Sequence, residues 1–392
     1  MILRGARVAL SAQETANLDV EIAGARIRAM RKPAKLPKGA TSLDLGGHLI
    51  LPGLINAHDH LEFNLYPRLG SGPYRNAGAW ARDVYRPDES PVAEQLRIPK
   101  SARLAWGGLK NLLSGVTTVC HHNLREPAVF DRNFPVRVVK QFGWAHSLEF
   151  SPDVVERFRA TPAEWPFILH LGEGVDRGTR QEIFRLDELG ALDHRTILVH
   201  AVGLNGKGQR LVKERRASLV WCPSSNLFLL GRTLNSNALR SGIPITLGSD
   251  SALTAEGDFL DEIRVARTVA GLNSTSIYDM VTADAARILR LTGGAGSLTP
   301  DRQADLIALQ DDRHSPCAAL ARATAPAVVM VNGKLKLISR KLAGRRPPTS
   351  FNRLNVEGRG EFLVDANVTR LRQQAERTLG KEIRLAGRAV YS

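Results

Sequence analysis

Phe167-Ile168-Leu169-His170-Leu171 and Thr196-Ile197-Leu198-Val199-His200 are two short, almost wholly apolar runs, and Arg177–Leu189 between them reads as a helix. A strand buried on both faces shows no polar alternation, and two parallel strands need a crossover of about a dozen residues or more. The stretch therefore predicts a parallel pair joined by a helix. Outward from it the pattern repeats. Leu54–Ala57, Val116–Cys120, Val136–Trp144, Ser218–Trp221 and Pro244–Leu247 read as further strands, with helices at Ser101–Leu113 and Leu260–Ala270. Such alternation predicts an α/β fold with a parallel sheet. On either side of it, after a helix over Ile277–Leu291, strand chemistry takes over. Ile2–Leu10, Leu18–Ala29, Asp305–Leu309, Ala327–Val331 and Lys334–Ser339 read as strands, with Asn332-Gly333 as a hairpin turn. Pairing of the N- and C-terminal strands in one small β domain is expected. Residues 345–392 read as a basic tail with a helix around Val364–Leu379.

The 392 residues, 43% hydrophobic and 24% charged, have a globular composition that argues against disorder and fibrous architectures. No apolar stretch approaches the roughly 20 residues of a membrane span, and the first residues lack a secretory apolar run. Cys120, Cys222 and Cys317 are too scattered for a disulfide framework or a metal knuckle, which points to a reducing cytoplasm. Lys and Arg total 54 against 39 Asp and Glu, a net charge of +15. That balance raises nucleic acid as a partner. The basic residues are spread along the chain without interleaved aromatics, densest from Lys334 to Arg346, so a solvated basic surface is preferred and nucleic acid disfavoured.

Four of the ten histidines close apolar strands: His58 and His60 after Leu54–Ala57, His170 and His200 at the ends of the opening pair. Asp250 follows the strand that ends at Leu247. The carboxyl ends of barrel strands converge on one mouth, and alternate residues of a strand point the same way. His58 and His60 are thus expected to aim at one ion, and imidazoles with a carboxylate suit Zn²⁺ or Fe²⁺. His121 and His122 also end a strand and read as pocket lining, with His146 a weaker pocket candidate.

Pro52-Gly53-Leu54-Ile55-Asn56-Ala57-His58-Asp59-His60 resembles the PG(L/F)(I/V)xxHxH signature of the metal-dependent amidohydrolase superfamily. His170-Leu171-Gly172-Glu173 is similar to the HxxE of its branch of cytosine, guanine and S-adenosylhomocysteine deaminases and triazine hydrolases. Cys222-Pro223-Ser224-Ser225-Asn226, Leu247-Gly248-Ser249-Asp250-Ser251 and Gly296-Ser297-Leu298 with Ala304-Asp305-Leu306 resemble further motifs of that branch, in order. The resemblance covers roughly residues 1 to 340. It implies a (β/α)8-type TIM barrel over 53–295, distorted or abbreviated, and a composite β-sandwich from 1–52 and 296–344. It also implies one divalent metal, Zn²⁺ before Fe²⁺, on His58, His60, His170 and Asp250. His200 would polarise water or substrate beside it, Glu173 would carry the proton, and Asp250 would accept one. Trp221 departs from the histidine often found before CPxSN, and no lysine stands at the end of the fourth strand, which favours one metal over two. Only two good strands separate His60 from His170 where the family barrel has three. Either one is hidden near Phe130–Phe150 or the barrel is shortened.

The long loop after His60 carries Tyr74, Asn76 and Trp80, and loops over a barrel mouth select substrate. Tyr74, Trp80, His122 and Asn226 are the expected substrate contacts, although Asn226 suits loop fixing as well. The leading expectation is an enzyme that deaminates a nitrogen heterocycle or nucleoside-like small molecule. Hydrolysis of a non-peptide amide or cyclic C–N bond by the same site is the alternative. A retired barrel that binds a polyanion is a distant third. A homodimer is compatible with such a barrel.

Overall fold

The computed structural model describes residues 1–344 and 348–391; residues 345–347 of the tail, with part of its basic stretch, and Ser392 lie outside the described residues. Eight parallel strands carry the centre of the chain: β1 (Leu54–Asp59), β2 (Val116–His121), β3 (Arg137–Val138), β4 (Gly143–Trp144), β5 (Phe167–Leu171), β6 (Thr196–His200), β7 (Ser218–Trp221) and β8 (Ile245–Leu247). They form two sheets, β3-β2-β1 and β4-β5-β6-β7-β8, every pair parallel. Helices Lys100–Leu113, Val154–Ala160, Arg177–Glu188 and Gly206–Glu214 supply crossovers. Just beyond β8, the N–H groups of Ser249 and Asp250 both donate to the His58 carbonyl at 3.0 Å, bringing the end of β8 against the end of β1. Gly248 makes this approach possible, because a Cβ there would stand 2.6 Å from His58 Cβ.

The run Val136–Trp144 is not one strand. Val139 still donates to Val119 of the first sheet, whereas Gly143 and Ala145 donate to Pro166 and Ile168 of the second. The chain changes sheets between Val139 and Gly143. That change supplies the third strand missing from the expected count, and it falls where the polar pair Lys140-Gln141 interrupts the run. The helix expected over Ile277–Leu291 is likewise two, Ser274–Met280 and Ala283–Ile288. It breaks where the Val281 carbonyl accepts the Ile55 N–H of β1 instead of continuing the helical ladder.

The flanking segments interlock as expected. His48–Pro52 pairs antiparallel with Leu306–Gln310 inside a ten-stranded sheet, and Ile2–Arg4, Asp19–Ala23, Arg26–Arg31 and Ser42–Asp44 make a four-stranded one. Leu3, Val20 and Ile27 of the smaller sheet share an apolar cluster with Ile50, Leu306 and Met330 of the larger. The turn at Ala6 splits the expected strand Ile2–Leu10 and sends its halves to different sheets. The tail is built in rather than trailing. Asn352–Val356, Gly360–Val364 and Arg388–Tyr391 extend the ten-stranded sheet, and helix Val368–Leu379 follows Gly360–Val364. Arg359, with only 7% of its side chain exposed, pairs with Asp258 at 2.8 Å and Asp261 at 2.9 Å, and Arg388 pairs with Asp261 at 2.9 Å. Part of the tail's positive charge is therefore spent inside the molecule. No helix among the described residues is long and apolar enough to cross a membrane.

Candidate active site

His58, His60, His170, His200 and Asp250 meet at the carboxyl ends of β1, β5, β6 and β8. His170 Nε2 lies 3.3 Å from His58 Nε2 and 3.4 Å from His60 Nε2. Asp250 Oδ1 stands 3.9 Å and 3.8 Å from the same two nitrogens, and its Oδ2 is 3.9 Å from His200 Nε2. His200 and Asp250 have φ of 71° and 54°, left-handed conformations that ordinary residues rarely adopt. Such backbone costs on the order of 1–3 kcal/mol and persists only where its surroundings enforce it. Here the enforcement includes the paired N–H bonds onto His58.

The far nitrogens decide what the near ones present. His170 Nδ1 faces the His146 carbonyl at 2.8 Å, and His200 Nδ1 faces Asn226 Oδ1 at 2.8 Å. Both must donate, which leaves both Nε2 atoms with lone pairs. His58 is set through a relay: His122 Nε2 donates to the Ala145 carbonyl at 3.0 Å, so its Nδ1 accepts from His58 Nδ1 at 3.2 Å. Burial first, and neighbouring histidines second, hold His58, His122 and His170 well below the usual imidazole pKa. Neutral rings with converging lone pairs and a carboxylate repel one another unless a cation lies between them. The donor chemistry therefore fits a divalent metal, and two overlapping groups of three could hold one, His58 with His60 and His170, and His58 with His200 and Asp250.

Asp250 stays ionised. Burial pushes its pKa up, but His200, His60, the Ser225 hydroxyl at 2.7 Å and the Ser251 N–H at 2.7 Å together hold it below the usual value. Beneath the metal group, buried Asp59 accepts from Asn64 and Asn111, each at 2.8 Å, and from the Ser249 hydroxyl at 3.2 Å. Asn56 donates to Ser249 at 2.8 Å, so this polar net ties the ends of β1 and β8 together. Glu173 Oε1 is 3.5 Å from His200 Nε2. Burial raises its pKa to about 7, with His200 opposing and Asp250 and Glu182 reinforcing.

A cavity of about 630 Å³ opens over these groups, lined by His60, His170, His200, Glu173 and Asp250 on one side and by Phe63, Trp80, Tyr85, Phe150 and Leu253 on the other. Of the four expected substrate contacts, Trp80 lines it. His122 lies behind His58 and Asn226 behind His200, both acting on a ring from the rear. Tyr74 is turned to Asp83 and the Ser71 N–H and does not line the cavity. Sequence reasoning undervalued His146, which lines this cavity and the adjoining one, and did not single out Phe63, Phe150 or Leu253. Since β4 is only two residues long, no strand pattern flagged His146.

Two predictions arise here. Outer partners of metal ligands typically contribute 10–100-fold to metal affinity. His122→Ala should weaken zinc binding by about that factor, measured by chelator competition, while the circular dichroism spectrum holds. Glu182 Oε2 accepts the Gly172 N–H at 2.7 Å, and burial raises its pKa to about 7 from 4.5. A folded pKa above the unfolded one gives stability that is full below about 4.5 and lost as pH rises through 7. Glu182→Gln, which cannot ionise, should therefore melt above the parent near pH 8, by on the order of 1–3 kcal/mol, and no higher near pH 4.5.

The amidohydrolase family model matches residues 167–336, the span holding His170, Glu173, His200 and Asp250. A 5-methylthioadenosine/S-adenosylhomocysteine deaminase of Syntrophobacter fumaroxidans is 25% identical, over 78% of this chain and 84% of its own. Over residues 167–336 the chain is similar to the amidohydrolases. A 5'-deoxyadenosine deaminase of Methanothrix thermoacetophila is also 25% identical to this chain, over 75% of this chain and 82% of its own. Among solved structures, a zinc-bound adenosine deaminase of Xanthomonas campestris matches with a TM-score of 0.69 at 18% identity, covering 96% of this chain and 97% of that one. A zinc complex of atrazine chlorohydrolase from Arthrobacter aurescens TC1 reaches 0.72 at 17%, covering 96% and 99%. At those identities the structural matches speak for the fold alone.

Proposed function

We propose that this protein is an amidohydrolase that deaminates a nitrogen heterocycle of nucleoside-like form, with an adenosine modified at its 5′ position as the leading substrate class. The observation that carries this reading is Glu173, a largely buried carboxyl with a pKa near 7, facing the cavity beside His200 and the metal-binding group. His58, His60, His170 and Asp250 would hold one divalent ion, zinc by preference. Bound there, it supplies a Lewis acid that brings the pKa of water from 15.7 down toward about 7. Glu173 Oε1 then takes a proton from the attacking water and delivers it to the heterocycle, so that the amino group leaves as ammonia. His200 Nε2, with its far nitrogen committed to Asn226, faces the same space as an acceptor and orients water or substrate. Asp250 is a second proton acceptor. The aromatic wall of Trp80, Phe63 and Phe150 suits a flat ring, and the adjoining cavity of about 500 Å³ leaves room for a 5′ substituent.

The same reading takes the two parallel sheets as one (β/α)8 barrel over 53–295, and the two mixed sheets of 1–52 and 296–344 as a sandwich that residues 345–392 extend. The reduced, buried state of Cys120, Cys222 and Cys317 supports a cytoplasmic setting. The test is ammonia release by the zinc-loaded protein across methylthioadenosine, S-adenosylhomocysteine, adenosine, guanine and cytosine. Deamination of the 5′-modified adenosines first among these is expected. Acid formation without ammonia would overturn it in favour of amide or cyclic C–N hydrolysis.

A further inference from the structure

A cavity of about 980 Å³, larger than the one over the metal-binding group, shares no lining residue with the catalytic cavity or its neighbour. Arg137, which opens β3, belongs to its wall, whereas the metal-binding group sits at the other, carboxyl ends of the strands. Other parts of the wall come from the Gly24-Ala25 turn, the segment Leu289–Thr292 and the Asn332–Lys336 hairpin. The densest basic stretch of the sequence thus enters it through Lys334 and Lys336, and the proposed reaction has no use for that stretch.

We propose that this cavity is a second binding site, for a small anion carrying a diphosphate or a like cluster of phosphate charges. Arg125, Arg132, Lys140 and Lys334 line it, and none of them makes an ion pair or side-chain hydrogen bond among the described residues. Three further cations on the wall are already engaged: Arg137 with Asp305 at 2.6 Å, Lys336 with Asp365 at 2.8 Å, and Arg290 with the carbonyls of Ala163 and His194. Even so, Arg137 Nε is buried with no acceptor. Asp131 is the lone carboxylate of the lining. With Asp305 and Asp365 counted beside Asp131, seven cations still face three carboxylates, and the four unpaired among the described residues leave the concavity with a net positive potential. The guanidinium fork of arginine matches phosphate oxygens two at a time, and lysine adds point charge. Gln141 and Gln303 offer neutral donors beside them, and Trp165 a flat face.

The experiment is calorimetric titration of the full chain with inorganic pyrophosphate and with ADP, at roughly 50 and 200 mM KCl. Saturable binding near one equivalent is expected at both salt concentrations. The triple variant R132E/K140E/K334E should weaken it about tenfold or more. All three side chains are exposed, so melting temperature and turnover should match the parent. A control, R97E/K207E/R267E, makes the same change in net charge at exposed positions that line none of the cavities described here, and should leave binding intact. ADP binding more tightly than pyrophosphate assigns the site to a nucleoside-bearing diphosphate, and equal binding to the diphosphate alone. Equal weakening by both triples, or binding that fails to saturate, would overturn the proposal in favour of a merely basic surface.

Discussion

Glu173→Gln should lower kcat by about 10²–10⁴, the usual worth of a positioned acid–base group, with little change in KM. The substitution keeps the shape and one acceptor oxygen but removes the group that exchanges a proton. Glu173 lies outside the His/His/His/Asp set, so zinc content should match the parent, and that readout separates a lost proton carrier from a lost metal. In the parent, burial places the Glu173 carboxyl near pH 7, where acid and base forms are both populated. A limb of the kcat–pH profile should belong to this group and vanish in the variant. Unchanged turnover in Glu173→Gln would remove the proton-transfer role altogether.

His170→Ala should abolish metal binding and turnover together. His170 Nε2 is the nitrogen that lies within 3.4 Å of both His58 and His60, so its loss opens the centre of the donor set. The drop in zinc affinity should exceed the 10–100-fold expected when only an outer partner such as His122 is lost. Metal analysis of the purified variant gives the answer directly. Full zinc occupancy in His170→Ala would mean that the metal sits elsewhere. Of the two variants, His170→Ala should lose the metal and Glu173→Gln should keep it; a result the other way round contradicts the assignment of roles.

Much of the site was legible along the chain because its donors end short apolar strands. The motif that places His58 and His60 is contiguous, and alternation along a strand is a local property. His170, His200 and Asp250 follow the same rule in three other strands. The supporting parts were hidden. His122 read as pocket lining because a histidine at a strand end looks the same whether it faces the mouth or the back of another ring. Its role depends on the Ala145 carbonyl, 23 residues further along. The third strand before His170 was masked because hydrophobicity does not record which neighbour a backbone N–H will choose, so the Lys140-Gln141 break read as part of one strand. The basic tail gave no sign that Arg359 would dock on Asp258 and Asp261, since a buried ion pair and a solvated charge have the same composition.

Residue pattern alone thus determined the α/β class, the run of parallel strands and the identity of the converging donors, because each follows from periodicities two to four residues long. Folding decided which nitrogen of each imidazole is free, why the pKa of Glu173 is raised while that of Asp250 is lowered, and where the unengaged arginines and lysines gather. Those properties depend on hydrogen-bond partners and on burial, and both come from segments far apart in the chain.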